Sequence, residues 1–403
     1  MKNYDFLVLG AGIFGIATAI ELRKRNYSVA VLNPGKIPHP LAESTDISKI
    51  VRMEYGTDLE YMEMVEECIP AWREWNEFFN DPLYHEVGFL LLSRTKPEEN
   101  SSSFESASYF NLLKKGYRPE KLDARQLKEK FPAINPEQYT DAFYHSVGGY
   151  AESGRVVETL TKYARQLNID IHEEQTASHI IIKNNQTEGT ITKEGFTFKA
   201  GHVVVCAGNL TPFLVPDLKQ YMKITGHPVF HLHPSKPDIF NSQHLPVFAA
   251  DISNTGWYGF PLHPKEKVVK VANHGTGVAI NDPEKDERVV YENDFFQLRK
   301  FLGESFPSLA NDPVVYTRRC CYTDTLDGHF WIDNHPEIKN LTIGSGGSGH
   351  GFKMGPIIGD MIATVAESRS HKWSARYRWR NISDKTVNKE EARFVNRKIN
   401  LIN

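Results

Sequence analysis

Cysteine is scarce in this sequence: four residues, at positions 68, 206, 320 and 321, stand in 403. None forms a Cys-x-x-Cys pair, and so few exclude a disulfide scaffold and argue against structural zinc, which points to a reducing, cytoplasmic setting. Long apolar runs are missing too. The best candidate, Phe6 to Ile20, is broken by glycines and lacks both a basic leader of any length and a small-residue cleavage site before Glu21-Leu22-Arg23-Lys24. It reads as neither signal peptide nor membrane span, which needs ~20 apolar residues. No sign of charge dominates, since 47 Lys and Arg face 50 Asp and Glu for a net charge of −3. A nucleic-acid-binding field and a basic partner are therefore not expected. There is no internal repeat or low-complexity linker, and the terminal Leu401-Ile402-Asn403 is not a peroxisomal address.

What is present is enough apolar content, 40 %, to bury a core, over a length that suits two domains. Tyr4 to Leu9 reads as a buried parallel strand, Ile13 to Asn26 as a helix with Arg23-Lys24-Arg25 near its C-terminal end, and Ser28 to Leu32 as a second strand. Between the first strand and the helix lies Gly10-Ala11-Gly12-Ile13-Phe14-Gly15. In such a GxGxxG the first glycine makes the turn, the second admits a pyrophosphate, and the third lets helix pack on strand, with the helix N-terminus facing the phosphates. The second strand ends at Asn33, where an acidic residue usually meets the adenosine ribose. Its amide oxygen can accept a hydrogen bond, but without charge.

Further along, Met62 to Phe79 has the spacing of an amphipathic helix that Pro70 must kink or split. A helix is expected from Arg155 to Leu167, and Val203 to Gly208 is a strand running into a glycine turn. Lys223 to Tyr316 alternates and is rich in turns, as an antiparallel sheet is. Leu341-Thr342-Ile343 leads into a glycine loop, and Pro356 to Glu367 is helical. Dinucleotide-binding elements at both ends with a sheet-rich middle predict an α/β protein. A Rossmann-like domain (1–85, 146–220 and 318–372) is interleaved with an α+β domain on a mainly antiparallel sheet (86–145 and 221–317). Residues 373–403, polar and charged, are expected to form a surface extension.

Cys320-Cys321-Tyr322-Thr323 and Gly346-Gly347-Ser348-Gly349-His350-Gly351-Phe352-Lys353, with Cys320 and His350 30 residues apart, resemble the monomeric sarcosine oxidase family of D-amino-acid-oxidase-like flavoenzymes. Lys49-Ile50-Val51-Arg52 with Tyr55-Gly56, then Trp257-Tyr258-Gly259-Phe260-Pro261 and Lys270 to His274, extend the likeness over residues 1 to about 370. Lys49 within Asp46-Ile47-Ser48-Lys49-Ile50 is instead similar to the fructosyl amino acid oxidases, which tend to carry an acidic residue where His274 stands.

The resemblance implies FAD as cofactor, linked through the Cys320 sulfur. It implies cofactor contacts at Gly10, Gly12, Ile13, Phe14, Gly15, Asn33, Ser44, Lys49, Gly346, Gly347, Gly349, His350, Gly351 and Lys353. Arg52 and Lys353 would grip a substrate carboxylate, one as a bidentate fork and the other as a point charge. Tyr258 and His274 would line the pocket, and Lys270 would promote the reaction with O2. Each has a blander reading: Cys320 as a buried structural thiol, Arg52 as a surface charge, Lys270 as an outward lysine on an alternating strand among Val268, Val269, Val271 and Ala272. His227, His231 and His233 read as sheet or interface histidines, and no metal is expected. The implied activity is oxidation of a small secondary amine bearing a carboxylate (sarcosine, pipecolate or another N-alkyl amino acid) with O2 reduced to hydrogen peroxide. The alternatives are a fructosyl amino acid oxidase and a dehydrogenase of the same fold with another electron acceptor. A monomer or weak oligomer is expected, without nucleic-acid or membrane partners.

Overall fold

The structure, a computed structural model, describes residues 2–382. Its first sheet has eight strands, centred on Asn3–Leu9. That strand lies parallel between Val29–Leu32 and Thr197–Val205, with Leu341–Ser345 parallel on the far side of the latter. All four residues of Val29–Leu32 are buried, as parallel strands covered on both faces must be. Helices Ile13–Lys24 and Gly355–Ala366 pack together on this sheet so closely that a Cβ at Gly359 would stand 2.5 Å from the Ala17 carbonyl carbon. Glycine there is a packing requirement.

The second sheet has nine strands and is mainly antiparallel, the exception being Val247–Ala250 beside Phe89–Ser93. Its spine is the long pair Met222–Leu232 and Val314–Thr325. A small third sheet pairs Gly149–Ala151 antiparallel with both Lys49–Val51 and Tyr84–His85. This is the interleaved α/β architecture that the sequence predicts.

Helix Leu59–Phe79 runs through Pro70 as one element, so of the two expected alternatives, kink or split, the split does not occur. Its buried face, with Cys68, Ile69 and Trp72 around the proline, is held by tertiary packing that outweighs one lost backbone bond. The domain boundary placed at 318 falls inside the strand Val314–Thr325, all of which belongs to the antiparallel sheet. Nor is the start of the C-terminal extension a loose surface segment. Tyr377 is fully buried and donates to the Met64 sulfur at 3.0 Å, and Arg380 forks onto Asp327 at 2.6 and 2.8 Å. Apolar and cationic residues scattered through a polar stretch carry that docking, which average polarity conceals. The rest of the extension, 383–403, lies outside the described residues. Among the described residues no helix is long and apolar enough to cross a membrane.

Candidate active site

The GxGxxG turn is built as its spacing predicts. Gly10 has φ +103°, and a Cβ on it would meet the Cys206 carbonyl oxygen at 2.4 Å; a Cβ on Gly15 would stand 1.9 Å from the Gly10 oxygen. Gly15 thus serves packing and does not line the cleft that the other glycines of the turn border. The Asn33 amide oxygen accepts from the Ala11 N–H at 3.1 Å, so this side chain braces the turn as well as lining the cleft. Ser44 Oγ accepts from the Ile13 N–H at 3.0 Å, placing a hydroxyl at the helix N-terminus.

A cleft of 380 Å³ is lined by Leu32 and Asn33, by Gly10, Gly12, Ile13, Phe14 and Ser44, and by Gly346, Gly347, Gly349 and Gly351. It meets a smaller inner pocket of 70 Å³, and Lys49, Tyr322, Gly349 and Phe352 line both. The inner pocket gathers Arg52, Tyr258, Lys270, His274, Cys320, His350 and Lys353, residues from five separate stretches of chain. A dinucleotide lying in the cleft would reach with its far ring the pocket that holds Cys320. The glycine cradle and the thiol in the adjoining pocket fit FAD.

Strand register explains the convergence. Tyr258 lies opposite Ala272, Val229 opposite Ala272 on the other side, and His231 opposite Lys270. Cys320 lies opposite His227, two residues from Val229. Residues alternating along each strand therefore present Cys320, Tyr322, Lys270, His274 and Tyr258 on one face, which forms the pocket floor.

The electrostatics are lopsided toward positive charge. Lys270, 2 % exposed, donates to Asp46 Oδ2 at 2.8 Å and to the Ser48 carbonyl at 2.5 Å. Burial pushes its ammonium down to about 8, with Asp46 opposing the shift. Burial alone would raise Asp46, but the Lys270 charge, the His231 hydrogen bond and the Arg318 and Lys49 charges together outweigh it and hold the carboxyl well below the usual range. Among the described residues Asp46 is the only carboxylate lining the inner pocket, and it is taken. Arg52, 5 % exposed, has no acidic partner among the described residues. Its guanidinium sits 5.1 Å from the centres of the Tyr55 and Phe104 rings, and its Nη1 is buried without an acceptor. Lys353 Nζ donates to Tyr55 Oη at 3.0 Å and to the His350 carbonyl at 3.1 Å.

Several residues of the site were not singled out from sequence. Asp46 was only part of a motif, yet a lysine inside an apolar strand demands a buried counter-ion, and that demand could have found it. Tyr322 stacks on His227 at 3.9 Å and its hydroxyl lies 3.4 Å from His274 Nδ1. Glu43 lines the cleft, accepts from Thr323 Oγ1 at 2.5 Å and is pushed up by burial. No spacing signal marks it. All four cysteines are free thiols.

A model of the family described as DAO, FAD dependent oxidoreductase, matches residues 5–365. L-saccharopine oxidase of Schizosaccharomyces pombe is 27 % identical, covering 93 % of this chain and 92 % of its own. Peroxisomal sarcosine oxidase of Mus musculus is 28 % identical over 89 % of this chain and 91 % of its own. Among solved structures, the deglycating enzyme fructosamine oxidase (Amadoriase II) of Aspergillus fumigatus superposes with a TM-score of 0.81 at 22 % identity. The superposition covers 98 % of this chain and 94 % of that one.

Proposed function

The chain belongs to the FAD dependent oxidoreductase family, and from that premise we propose that it oxidises the C–N bond of a small secondary amine carrying a carboxylate and reduces O2 to hydrogen peroxide. One observation carries this reading: Arg52 is buried, cationic and without an acidic partner among the described residues, in a pocket whose single carboxylate is already paired. A desolvated guanidinium costs several kcal/mol unless an anion meets it, and a substrate carboxylate would. The pocket volume of 70 Å³ holds roughly five to seven water-sized groups at ~10–15 Å³ each. That suits an N-methyl amino acid better than a sugar adduct.

Bound in the cleft, FAD supplies a two-electron acceptor for hydride from the carbon beside nitrogen. The residues of this chain do the rest. Arg52 and Lys353 hold the carboxylate, Tyr258 and His274 confine the amine, and Val229, Ile252 and Phe260 exclude water. Lys270, fixed by Asp46, presents a positive charge where oxygen becomes anionic. Cys320 lies at the pocket floor, which supports a thioether to the flavin, and the free thiols of Cys68, Cys206 and Cys321 support a cytoplasmic setting.

The test of function is peroxide release with sarcosine, pipecolate, saccharopine and fructosyl-glycine. We expect the small N-alkyl amino acids to lead. Peroxide from fructosyl-glycine alone would move the assignment to the fructosyl amino acid oxidases, which the Asp46-to-Ile50 motif favours. Dye reduction without oxygen consumption would make the protein a dehydrogenase. For the flavin bond, acid precipitation is expected to leave the yellow colour in the pellet of the unmodified protein and in the supernatant of Cys320→Ser. Colour in both supernatants would dismiss the linkage.

A further inference from the structure

Lys353 is not held by its own neighbours alone. His350 Nε2 lies 3.0 Å from the Gly328 carbonyl, so that nitrogen carries the proton and Nδ1 is an acceptor. Tyr55, whose hydroxyl lies 3.2 Å from His350 Nδ1, must donate there, which turns its oxygen lone pairs toward the Lys353 ammonium. The orientation of Tyr55 therefore sets where Lys353 stands. Tyr55 and Arg52 both sit on the short link 52–58 that enters helix Leu59–Phe79.

That link is gripped from the C-terminal segment. Arg376 forks onto Asp58, Nη1 to Oδ1 at 2.7 Å and Nη2 to Oδ2 at 2.5 Å, while Asp58 caps the helix through the Tyr61 N–H at 3.2 Å. Arg376 Nη2 also lies 3.1 Å from His329 Nε2. A guanidinium only donates, so the His329 proton sits on Nδ1, 3.3 Å from the Tyr61 hydroxyl. Burial, then Arg376, pushes His329 down to about 4, which agrees with a neutral ring. Tyr61 in turn stacks on Tyr55 at 5.1 Å and meets His350 edge-on at 4.8 Å.

Building on the reading of Arg52 and Lys353 as a carboxylate clamp, we propose that Arg376 is a positioning residue for that clamp. It acts through Asp58 on the link bearing Arg52 and Tyr55, and through His329 and Tyr61 on the Tyr55–His350–Lys353 triangle. It lies beyond every motif that the sequence resembles, and docking of the C-terminal segment is what brings it there. Ser108 and Asn111 also hold the Gly56 backbone, at 2.9 and 2.8 Å. Loss of Arg376 would therefore loosen the clamp without collapsing it.

The test uses the full-length flavin-loaded protein and acetate as a non-oxidisable carboxylate, titrated by its effect on the flavin spectrum. Arg376→Gln is expected to weaken acetate about tenfold, since misplacement by a fraction of an ångström costs this much at a positioned site. It should raise KM for an N-methyl amino acid by a similar factor and leave kcat within about twofold. Oxidation of a methylated amine of similar size without a carboxylate should not change. Arg376→Lys should recover part of the loss, and Asp58→Asn should reproduce it from the other side of the pair. Arg52→Gln is the control. If it weakens acetate while Arg376→Gln and Asp58→Asn do not, this proposal fails alone. If it leaves acetate binding intact, the clamp reading fails and takes the proposal with it. An equal loss for the carboxylate-free amine would reduce Arg376 to a stabilising contact and also overturns the proposal.

Discussion

Lys270→Met is expected to leave anaerobic reduction of the bound flavin by substrate near its normal rate and to slow reoxidation by O2 about 10²–10³-fold, the size of effect seen when a preorganised charge is removed from a developing anion. The first electron added to O2 creates a negative charge, and Lys270 is a buried cation anchored to the pocket floor by two acceptors, Asp46 and the Ser48 carbonyl. Methionine keeps the volume and removes the charge. It also strands the Asp46 carboxylate, and an uncompensated buried charge costs about 3–5 kcal/mol. Stability should therefore fall in Lys270→Met and recover in Asp46→Asn/Lys270→Met, while slow reoxidation persists in both. Stopped-flow reduction and reoxidation, with thermal melts of each variant, read the two effects apart. Equal slowing of both half-reactions would end the assignment.

The same group sets a pH dependence. Burial first, opposed by Asp46, brings Lys270 down to about 8 from the ordinary 10.5. The oxygen reaction should thus decline as pH rises through about 8. Stability moves the other way. Between pH 8 and 10.5 the unfolded chain holds a proton on this lysine that the folded protein has released, so unfolding free energy from this group rises with pH across that window. Asp46→Asn removes the charge that opposes the downward shift, and the decline in oxygen reactivity should move to lower pH.

Most of the lining of the cleft and pocket could be read from the chain because its parts are local motifs whose geometry follows from spacing. Gly10 to Gly15 must form a turn and helix start, and Gly346 to Lys353 a glycine loop leading into helix Gly355–Ala366. Alternation along the strands through Lys270 and Cys320 places those residues on a face, although only register shows that both faces coincide. Contacts between distant stretches were not legible. Asp46 and Lys270 are joined by a tertiary approach, and Arg376 reaches Asp58 only because Tyr377 and Arg380 are anchored. Local pattern contains no term for either. Pro70 leaves its helix unsplit for the related reason that a single propensity penalty is small beside a buried helix face.

Arg52→Gln should separate activity from stability in opposite directions. A bidentate charged contact to a carboxylate in a desolvated pocket is worth about 2–4 kcal/mol, so kcat/KM for an N-alkyl amino acid should fall roughly 30- to 1000-fold. Most of this loss should appear in KM, because the carboxylate is held equally in the ground and transition states. The fold should not suffer correspondingly. Arg52 is 5 % exposed and faces Tyr55, Phe89 and Phe104 instead of an acid. Removing its charge relieves a desolvation cost while giving up cation–π contacts worth about 0.5–2 kcal/mol each. The two roughly cancel, and the thermal midpoint should match or exceed that of the unmodified protein. A residue kept for folding would show the reverse, a lower midpoint with kcat/KM within threefold of normal. That result would mean that the guanidinium in this pocket is there for the aromatic rings and not for a substrate.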